Sequence, residues 1–397
     1  MKIIINTDKV YLHGGIEKVM ATKVNWWASQ PGTEVYIVTT EQQNEPPCYT
    51  LDPRIQLLDL GVNYNRSKSY FSLENIKKAI THYRRQKKLF KELKPDFIIS
   101  PNINFDHYWL PMIKGKSKVI KERHGSRYFE DQSRRTASPL TQIKLKFSGF
   151  IDAQYDRIVV LNPEEKTYVK SDNATVIPNP VEPTPLNAEV AHKVVMAAGR
   201  ISPVKGFDHL IEIWSLVVRD FPEWQLHIYG QDYLGTQTEL QKQIGSLGLE
   251  KSVHFMGSVP DIHLPMTRAG IYAMTSETEC FPMVLLEALS VGLPVISWDA
   301  PTGPKHILTH ESDSFIVPYK NSSNFAEKLK DLMDSENLRK QMGATAKLNV
   351  GRFEISKVMA QWKALFDELQ PSQSPSGTPY PTSHTRHPSP NTHHPSP

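Results

Sequence analysis

Cysteine is nearly absent from this chain of 397 residues: Cys48 and Cys280, far apart in sequence, are all it has. Two such residues exclude a disulfide framework and the paired Cys and His spacings of a structural zinc site. No apolar run reaches the length of about 18 residues that a membrane-spanning helix needs. The opening Met1-Lys-Ile-Ile-Ile5 also lacks the run of about 7 to 15 apolar residues of a secretory signal, so a reducing cytosol is the expected compartment. Asp-x-Asp does not occur, nor does any carboxylate array with metal-ligand spacing, so no metal site is expected. No Gly-x-Gly-x-x-Gly follows an expected strand, which argues against a nicotinamide cofactor.

What is present is ordinary in amount and informative in order. Apolar residues make up 39% and charged residues 22%, the balance of a soluble globular protein. The length exceeds what a single core usually fills, so two domains of roughly 100 to 200 residues are expected. The net charge of +4 is unevenly spread: residues 1–182 hold 28 Lys/Arg against 20 Asp/Glu, and the remainder 18 against 22. The front half is thus at +8 and the back half at −4. An excess of positive charge suits anionic lipid, nucleic acid or a phosphate-bearing acceptor, and equally a solvated surface.

Short β-branched runs alternate with segments of helical period throughout, the pattern of parallel sheets wrapped by helices. In the front half strands are expected at Lys2–Asn6, Val35–Thr39, Ile55–Leu60, Asp96–Ser100, Lys118–Glu122 and Arg157–Leu161. A long basic helix is expected from about Ser72 to Leu93, with Ile76, Ile80, Leu89, Phe90 and Leu93 available for packing. Four prolines between Pro178 and Pro185 can continue neither a helix nor a central strand, so the domain boundary is placed there. The alternation then restarts, with strands near Lys193–Ala198, Gln225–Tyr229, Val253–Met256, Gly270–Thr275, Pro294–Ser297 and Phe315–Val317. The expected organisation is α/β: an acceptor-side Rossmann-like domain at 1–182, a second one at 183–352, and a helix at 353–370 that closes the fold. From Pro371 the composition turns to Pro, Ser, Thr and His, and the tail 371–397 is expected to be disordered. Two doubly wound domains facing each other imply a cleft outside the carboxyl ends of the strands.

The strongest local signal is Ser276-Glu-Thr-Glu-Cys-Phe-Pro-Met-Val-Leu-Leu-Glu287. A strand ends at Thr275, a loop follows, and Pro282 stands where a helix can begin. Free N–H groups and the positive dipole end of such a helix suit an anion such as a diphosphate. Glu279 and Glu287 bracket the loop and the first turns; a carboxylate facing the cleft suits paired hydroxyls because it accepts two hydrogen bonds. The second signal is Ala198-Gly-Arg-Ile-Ser-Pro-Val-Lys-Gly206, which places Arg200 and Lys205 after a strand and before a helix. A planar fork and a mobile point charge together suit a pyrophosphate whose charge grows as it leaves.

Gly-Arg, then Lys-Gly, then Glu-x7-Glu, in this order and spacing, closely resembles glycosyltransferase family 4. Gly14-Gly15-Ile-Glu17, Ile177-Pro-Asn-Pro-Val181 and Pro301-Thr-Gly-Pro304 are also similar to that family, and the resemblance covers about residues 1–369. It implies a GT-B fold and a retaining, metal-independent transfer of sugar from a nucleotide-diphosphate sugar, which is a substrate and not a cofactor. By that resemblance Arg200 and Lys205 bind the donor diphosphate, Glu287 the ribose and Glu279 the transferred sugar. Cys280, Phe281, Pro282, Met283 and Val284 line the donor, and the Gly14-Gly15 loop approaches it from the other domain. Cys280 departs from the glycine often found there. The family's first-domain histidine is best matched by His124, in Lys121-Glu-Arg-His-Gly-Ser126, with Arg123 and Arg127 beside it. The fuller string around Glu279 resembles bacterial exopolysaccharide, capsule and O-antigen transferases. That implies a UDP-sugar donor, a saccharide or lipid-linked acceptor, and peripheral contact with an anionic membrane at its inner face.

Two rival readings remain on the sequence alone. An epimerase acting on a sugar nucleotide shares the nucleotide cleft and acts without an acceptor. A non-catalytic module for an anion or a membrane explains the basic front half, but not the joint presence of Arg200, Lys205, Glu279 and Glu287. Nucleic acid is not an expected partner.

Overall fold

The computed structural model describes residues 1–69, 71–101, 104–134 and 138–370. The disordered tail expected at 371–397 lies outside them. Seven strands make a first sheet: β1 (Lys2–Asn6), β2 (Glu34–Thr39), β3 (Gln56–Asp59), β4 (Phe97–Ser100), β5 (Lys118–Arg123), β6 (Arg157–Val160) and β7 (Ala174–Val176). Six make a second: β8 (Val194–Ala198), β9 (Gln225–Tyr229), β10 (Val253–Gly257), β11 (Ile271–Met274), β12 (Val295–Trp298) and β13 (Ser314–Val317).

All neighbours pair in parallel, in the orders β3-β2-β1-β4-β5-β6-β7 and β10-β9-β8-β11-β12-β13. Parallel sheets are covered on both faces, which is why Ile3-Ile-Ile5 and Val195-Met-Ala197 are apolar without alternation and fully buried. In each sheet the order reverses beside the first strand, between β1 and β4 and between β8 and β11. Such reversals open a crevice at the carboxyl ends of the strands. These are two Rossmann-like domains of the GT-B kind.

The last helix, Ile355–Leu369, returns to the first domain. Its Trp362 meets the Trp27 ring edge-on at 5.6 Å, and Phe366 stacks on Phe97 at 4.1 Å. Val358, Met359 and Leu365 join the same buried cluster. The chain thus crosses twice between the sheets, and at the crossing Val181 N donates to Phe353 O while Ile355 N donates to Val181 O. No helix among the described residues is long and apolar enough to cross a membrane.

The long basic helix runs over Leu73–Leu93, with Ser72 as its N-cap accepting from Asn75 N. Its buried face differs from the expected one. Ile76 and Ile80 are exposed, whereas Asn75, Ala79, His82, Gln86 and Phe90 are buried. Polar pairing decides this: Gln86 Nε2 donates to Asn6 Oδ1 (2.9 Å) and Asp106 Oδ2 (2.8 Å), while Trp109 Nε1 donates to Gln86 Oε1 (2.9 Å). Turning the isoleucines inward would leave these groups unpaired, which costs more than two exposed side chains.

Candidate donor site

Two loops of the second domain meet at the reversal between β8 and β11. The first leaves β8 at Ala198 and makes a turn at Pro203–Lys205. Gly206 then takes a left-handed φ of 60°, and a Cβ there would lie 2.0 Å from Thr275 O. Glycine is therefore the only residue that lets the Lys205 turn press against the end of β11. Thr275 Oγ1 donates to Gly206 O at 2.8 Å and pins the two loops together.

The result is an ion pair between the two motifs: Lys205 Nζ donates to Glu279 Oε1 at 2.6 Å. Neither group is fully buried, so both are accessible to a ligand at the crevice. Glu277, two residues earlier, is used differently. It accepts from Tyr319 Oη (2.6 Å), and lies within 2.7 Å of Lys320 and 3.1 Å of His209, which fixes the loop from outside. Arg200 does not join Lys205 on a carboxylate. It is exposed, and its guanidinium lies 4.9 Å from the centre of the Tyr233 ring.

The helix behind the loop spans Met283–Ser290, with Pro282 as the residue before its first turn. Glu287 sits on the buried side of this helix and receives Lys18 Nζ from the first domain. Lys18 belongs to the helix Gly15–Ser29, whose N-cap is Gly14. A Cβ on Gly15 would stand 4.0 Å from Met283 Cγ, so the Gly14-Gly15 loop faces the start of the second domain's helix across the cleft. Cys280 and Phe281 are buried, and burial pushes the Cys280 thiol well above its usual range. Val284 is half-buried beside them.

His124 stands just beyond β5, its ring nitrogen Nε2 2.9 Å from Glu122 Oε2. Glu122 is buried and also takes Lys23 Nζ at 2.5 and 2.6 Å. Burial works to raise the Glu122 pKa, but Lys23 and the His124 hydrogen bond outweigh it and hold the carboxyl at about 2. His124 is thus oriented by a fixed anion.

Residues 180–349 match the family model for glycosyl transferases, group 1. This stretch of the chain is thus similar to a glycosyltransferase domain. The group 1 match takes in both loops and the helix of Glu287. Along most of its length the chain is similar to an uncharacterized glycosyltransferase of Haemophilus influenzae, 27% identical over 361 residues, covering 89% of this chain and 96% of that one. It is 30% identical over 237 residues to the amylovoran biosynthesis glycosyltransferase AmsD of Erwinia amylovora, covering 56% of this chain and 65% of AmsD. Among solved structures, a variant of S. aureus TarM in complex with fondaparinux, alpha-GlcNAc-glycerol and UDP superposes with a TM-score of 0.73. The match covers 92% of this chain and 99% of TarM at 14% identity, so the shared property is the fold.

The second domain is tied to the first by residues that the motifs alone did not mark as a unit. Asn162 Nδ2 donates to Cys280 O at 2.9 Å, and Asn179 Nδ2 reaches Phe281 O at 3.4 Å. Thr302 Oγ1 donates to Glu165 Oε1 at 2.7 Å, while Thr302 N donates to Glu279 O at 2.6 Å. Glu165, almost fully buried, also accepts from Ser126 Oγ (2.7 Å) and Arg127 N (3.1 Å). One carboxylate therefore links the loop after His124 to the loop that carries Glu279. A signal for this pair was present in Asn162-Pro-Glu-Glu165, a helix-start pattern in which Asn162 Oδ1 caps Glu165 N at 2.9 Å.

Proposed function

We propose that this chain is a retaining, metal-independent glycosyltransferase moving a sugar from a nucleotide-diphosphate sugar, most favourably a UDP-sugar, to a saccharide or lipid-linked acceptor in surface polysaccharide synthesis. The observation that carries the reading is the Lys205–Glu279 pair at the β8/β11 reversal, with Glu287 on the helix that starts beside it. Such a crevice is where open α/β sheets bind nucleotides. In this reading Lys205 and Arg200 counter the charge that grows on the departing diphosphate, assisted by the N–H groups at Met283 and Val284. Glu287 accepts from the ribose hydroxyls and Glu279 from hydroxyls of the sugar. The clamp is made of protein, which is the support for metal independence.

Retention follows from attack on the face the diphosphate leaves. The bond from the anomeric carbon to the diphosphate oxygen breaks, the bond to the acceptor oxygen forms on the same face, and the acceptor proton passes to the departing phosphate. In this reading the Glu279 carboxylate is engaged by Lys205 and by sugar hydroxyls, so no covalent intermediate forms on it, and His124, oriented by Glu122, donates to the sugar. Support for UDP comes from the TarM complex, and support for the polysaccharide setting from the name of AmsD. The first domain is the acceptor side, and its excess of positive charge suits the inner face of an anionic membrane.

The test is hydrolysis of UDP-, GDP- and ADP-sugars by the purified chain in the absence of an acceptor. A UDP-sugar cleaved faster than the others supports the reading, and epimerised donor without cleavage would replace it with an isomerase.

A further inference from the structure

A cavity of about 540 Å3 opens in the first domain beside the end of β5, and none of the donor-site residues line it. Its cations are Arg123, Arg127, Lys146 and Lys170, against Glu130 and Asp152 as anions. Asp152 is already shared by two cations, since Arg123 Nη2 and Lys121 Nζ both donate to it. Burial pulls His107, behind them, down to about 4, so it adds no charge at neutral pH, and the Lys121 ammonium is what stands there. Arg127 is paired with Glu130 and Lys170 lies 3.5 Å from Asp131, so the surplus of positive charge on the wall is small and rests on Lys146 and Lys121. Arg123 is only 8% exposed, and its Nε–H has no hydrogen-bond partner among the described residues. A buried guanidinium N–H left unpaired is costly unless a ligand or water takes it.

The helix Pro139–Asp152 supplies one side of this cavity through Gln142, Lys146, Gly149 and Asp152, which recur at helical spacing. Its neighbouring face is apolar and open: Ile143, Phe147 and Phe150 are 63%, 52% and 60% exposed. Met112 and Phe129, elsewhere in the same domain, are also exposed. One helix thus presents a cationic cavity and a bare apolar strip side by side, and only an amphiphilic anion satisfies both.

We propose that this cavity seats the phosphate or pyrophosphate of an amphiphilic acceptor whose apolar chain lies along Ile143, Phe147 and Phe150. The inference rests on the glycosyltransferase reading and names the acceptor class for it. The placement is connected to the donor site: Arg123 precedes His124, and Arg127 N is held by Glu165, which also receives Thr302 Oγ1 beside Glu279. An anion held by Arg123 and Arg127 therefore lies next to the loop that leads into the cleft, and the sugar attached to it is directed there.

The experiment uses the full chain saturated with UDP, so that the donor site is closed to other anions. Calorimetric titration with inorganic pyrophosphate should still show binding, and Lys146→Glu and Lys170→Glu should each weaken it about tenfold, the scale of one lost charge-assisted hydrogen bond. UDP affinity and circular dichroism should be unchanged in both, since these lysines are exposed or half-exposed on the rim. In a second arm, phosphatidylcholine vesicles doped with dihexadecyl phosphate should sediment the wild-type chain. The triple variant Ile143→Ser, Phe147→Ser, Phe150→Ser should stay in solution while still binding pyrophosphate. Pyrophosphate binding that ignores the charge reversals overturns the proposal, and so does equal sedimentation of the triple variant, which would mean that the apolar strip holds nothing. If none of UDP, GDP and ADP binds, the glycosyltransferase reading fails and this inference with it; normal nucleotide binding alongside either negative result sinks the inference alone.

Discussion

Lys18, on the first helix of the chain, forms an ion pair with Glu287, 269 residues later on the helix that begins beside the Glu279 loop. The pair spans the cleft, and it occupies the carboxylate that the proposed donor's ribose needs. Lys18 and the ribose therefore compete. Lys18→Met should raise UDP affinity severalfold in calorimetry. Weaker binding would show instead that Lys18 itself contacts the nucleotide. Glu287→Gln keeps the shape but loses the charged acceptor, and should lower UDP affinity by about tenfold, the worth of one charge-assisted hydrogen bond.

The Lys205–Glu279 pair is only partly buried, so separating it costs the fold little: exposed and half-exposed ion pairs contribute roughly 0 to 1 kcal/mol. Lys205→Ala and Glu279→Ala should therefore keep a wild-type melting profile while sugar transfer falls by about a hundredfold or more, as expected for a group that meets charge developing in the transition state. Full activity in either variant would remove the site assignment.

Glu165 touches no proposed ligand, and its effect is positional. Glu165→Ala leaves Thr302 Oγ1, Ser126 Oγ and Arg127 N without their shared acceptor in a buried place. The expected cost is about 2 to 3 kcal/mol of stability together with a lower kcat. Glu165→Gln, which keeps an acceptor oxygen, should recover much of both. Denaturant unfolding measured alongside initial rates separates this role from a catalytic one, because a catalytic loss would leave stability intact.

Acid should weaken the first domain through Glu122. Its carboxyl sits at about 2 in the folded chain against an ordinary value of 4.5. A depressed carboxylate pKa contributes stability that is complete above the unfolded value and is lost as pH falls toward the folded one. The loss should run from about pH 4.5 down to about 2. Glu122→Gln should be less stable than wild type at pH 7, because it strands Lys23 in a buried position, and flatter across that acid window. Parallel acid limbs for the two proteins would contradict the assignment.

Much of the fold is legible in the sequence because parallel sheets write themselves as uninterrupted apolar runs. Val35–Thr39 against β2 and Lys193–Ala198 against β8 differ by a residue at one end. The long basic helix was legible in extent but not in orientation, since hydrophobic spacing picks Ile76 and Ile80, while a buried network of Asn6, Gln86, Asp106 and Trp109 decides the face. β7 was hidden in the approach to the proline-rich crossing, being only Ala174–Val176 at a sheet edge. Arg200, Lys205, Glu279 and Glu287 stood out by type and spacing. Lys18 did not, and Asn162-Pro-Glu-Glu165 is legible only as a helix start, because the partners across the cleft lie more than a hundred residues away in sequence and no local pattern encodes those contacts.

Chelation separates the protein-made clamp from a metal-assisted one. With Lys205 and Arg200 supplying the positive charge, transfer should persist in excess EDTA and gain nothing from added magnesium or manganese. Activity that vanishes with the chelator and returns with a divalent ion would place a metal at the diphosphate.

The central claim, a nucleotide-sugar site at the Lys205–Glu279 pair that transfers with retention, is tested most directly by proton NMR of UDP-sugar cleavage followed in real time. The account predicts that an α-linked UDP-sugar first releases free sugar as the α anomer, and that Lys205→Ala abolishes the signal. Release of the β anomer first, or cleavage undiminished in Lys205→Ala, would contradict it.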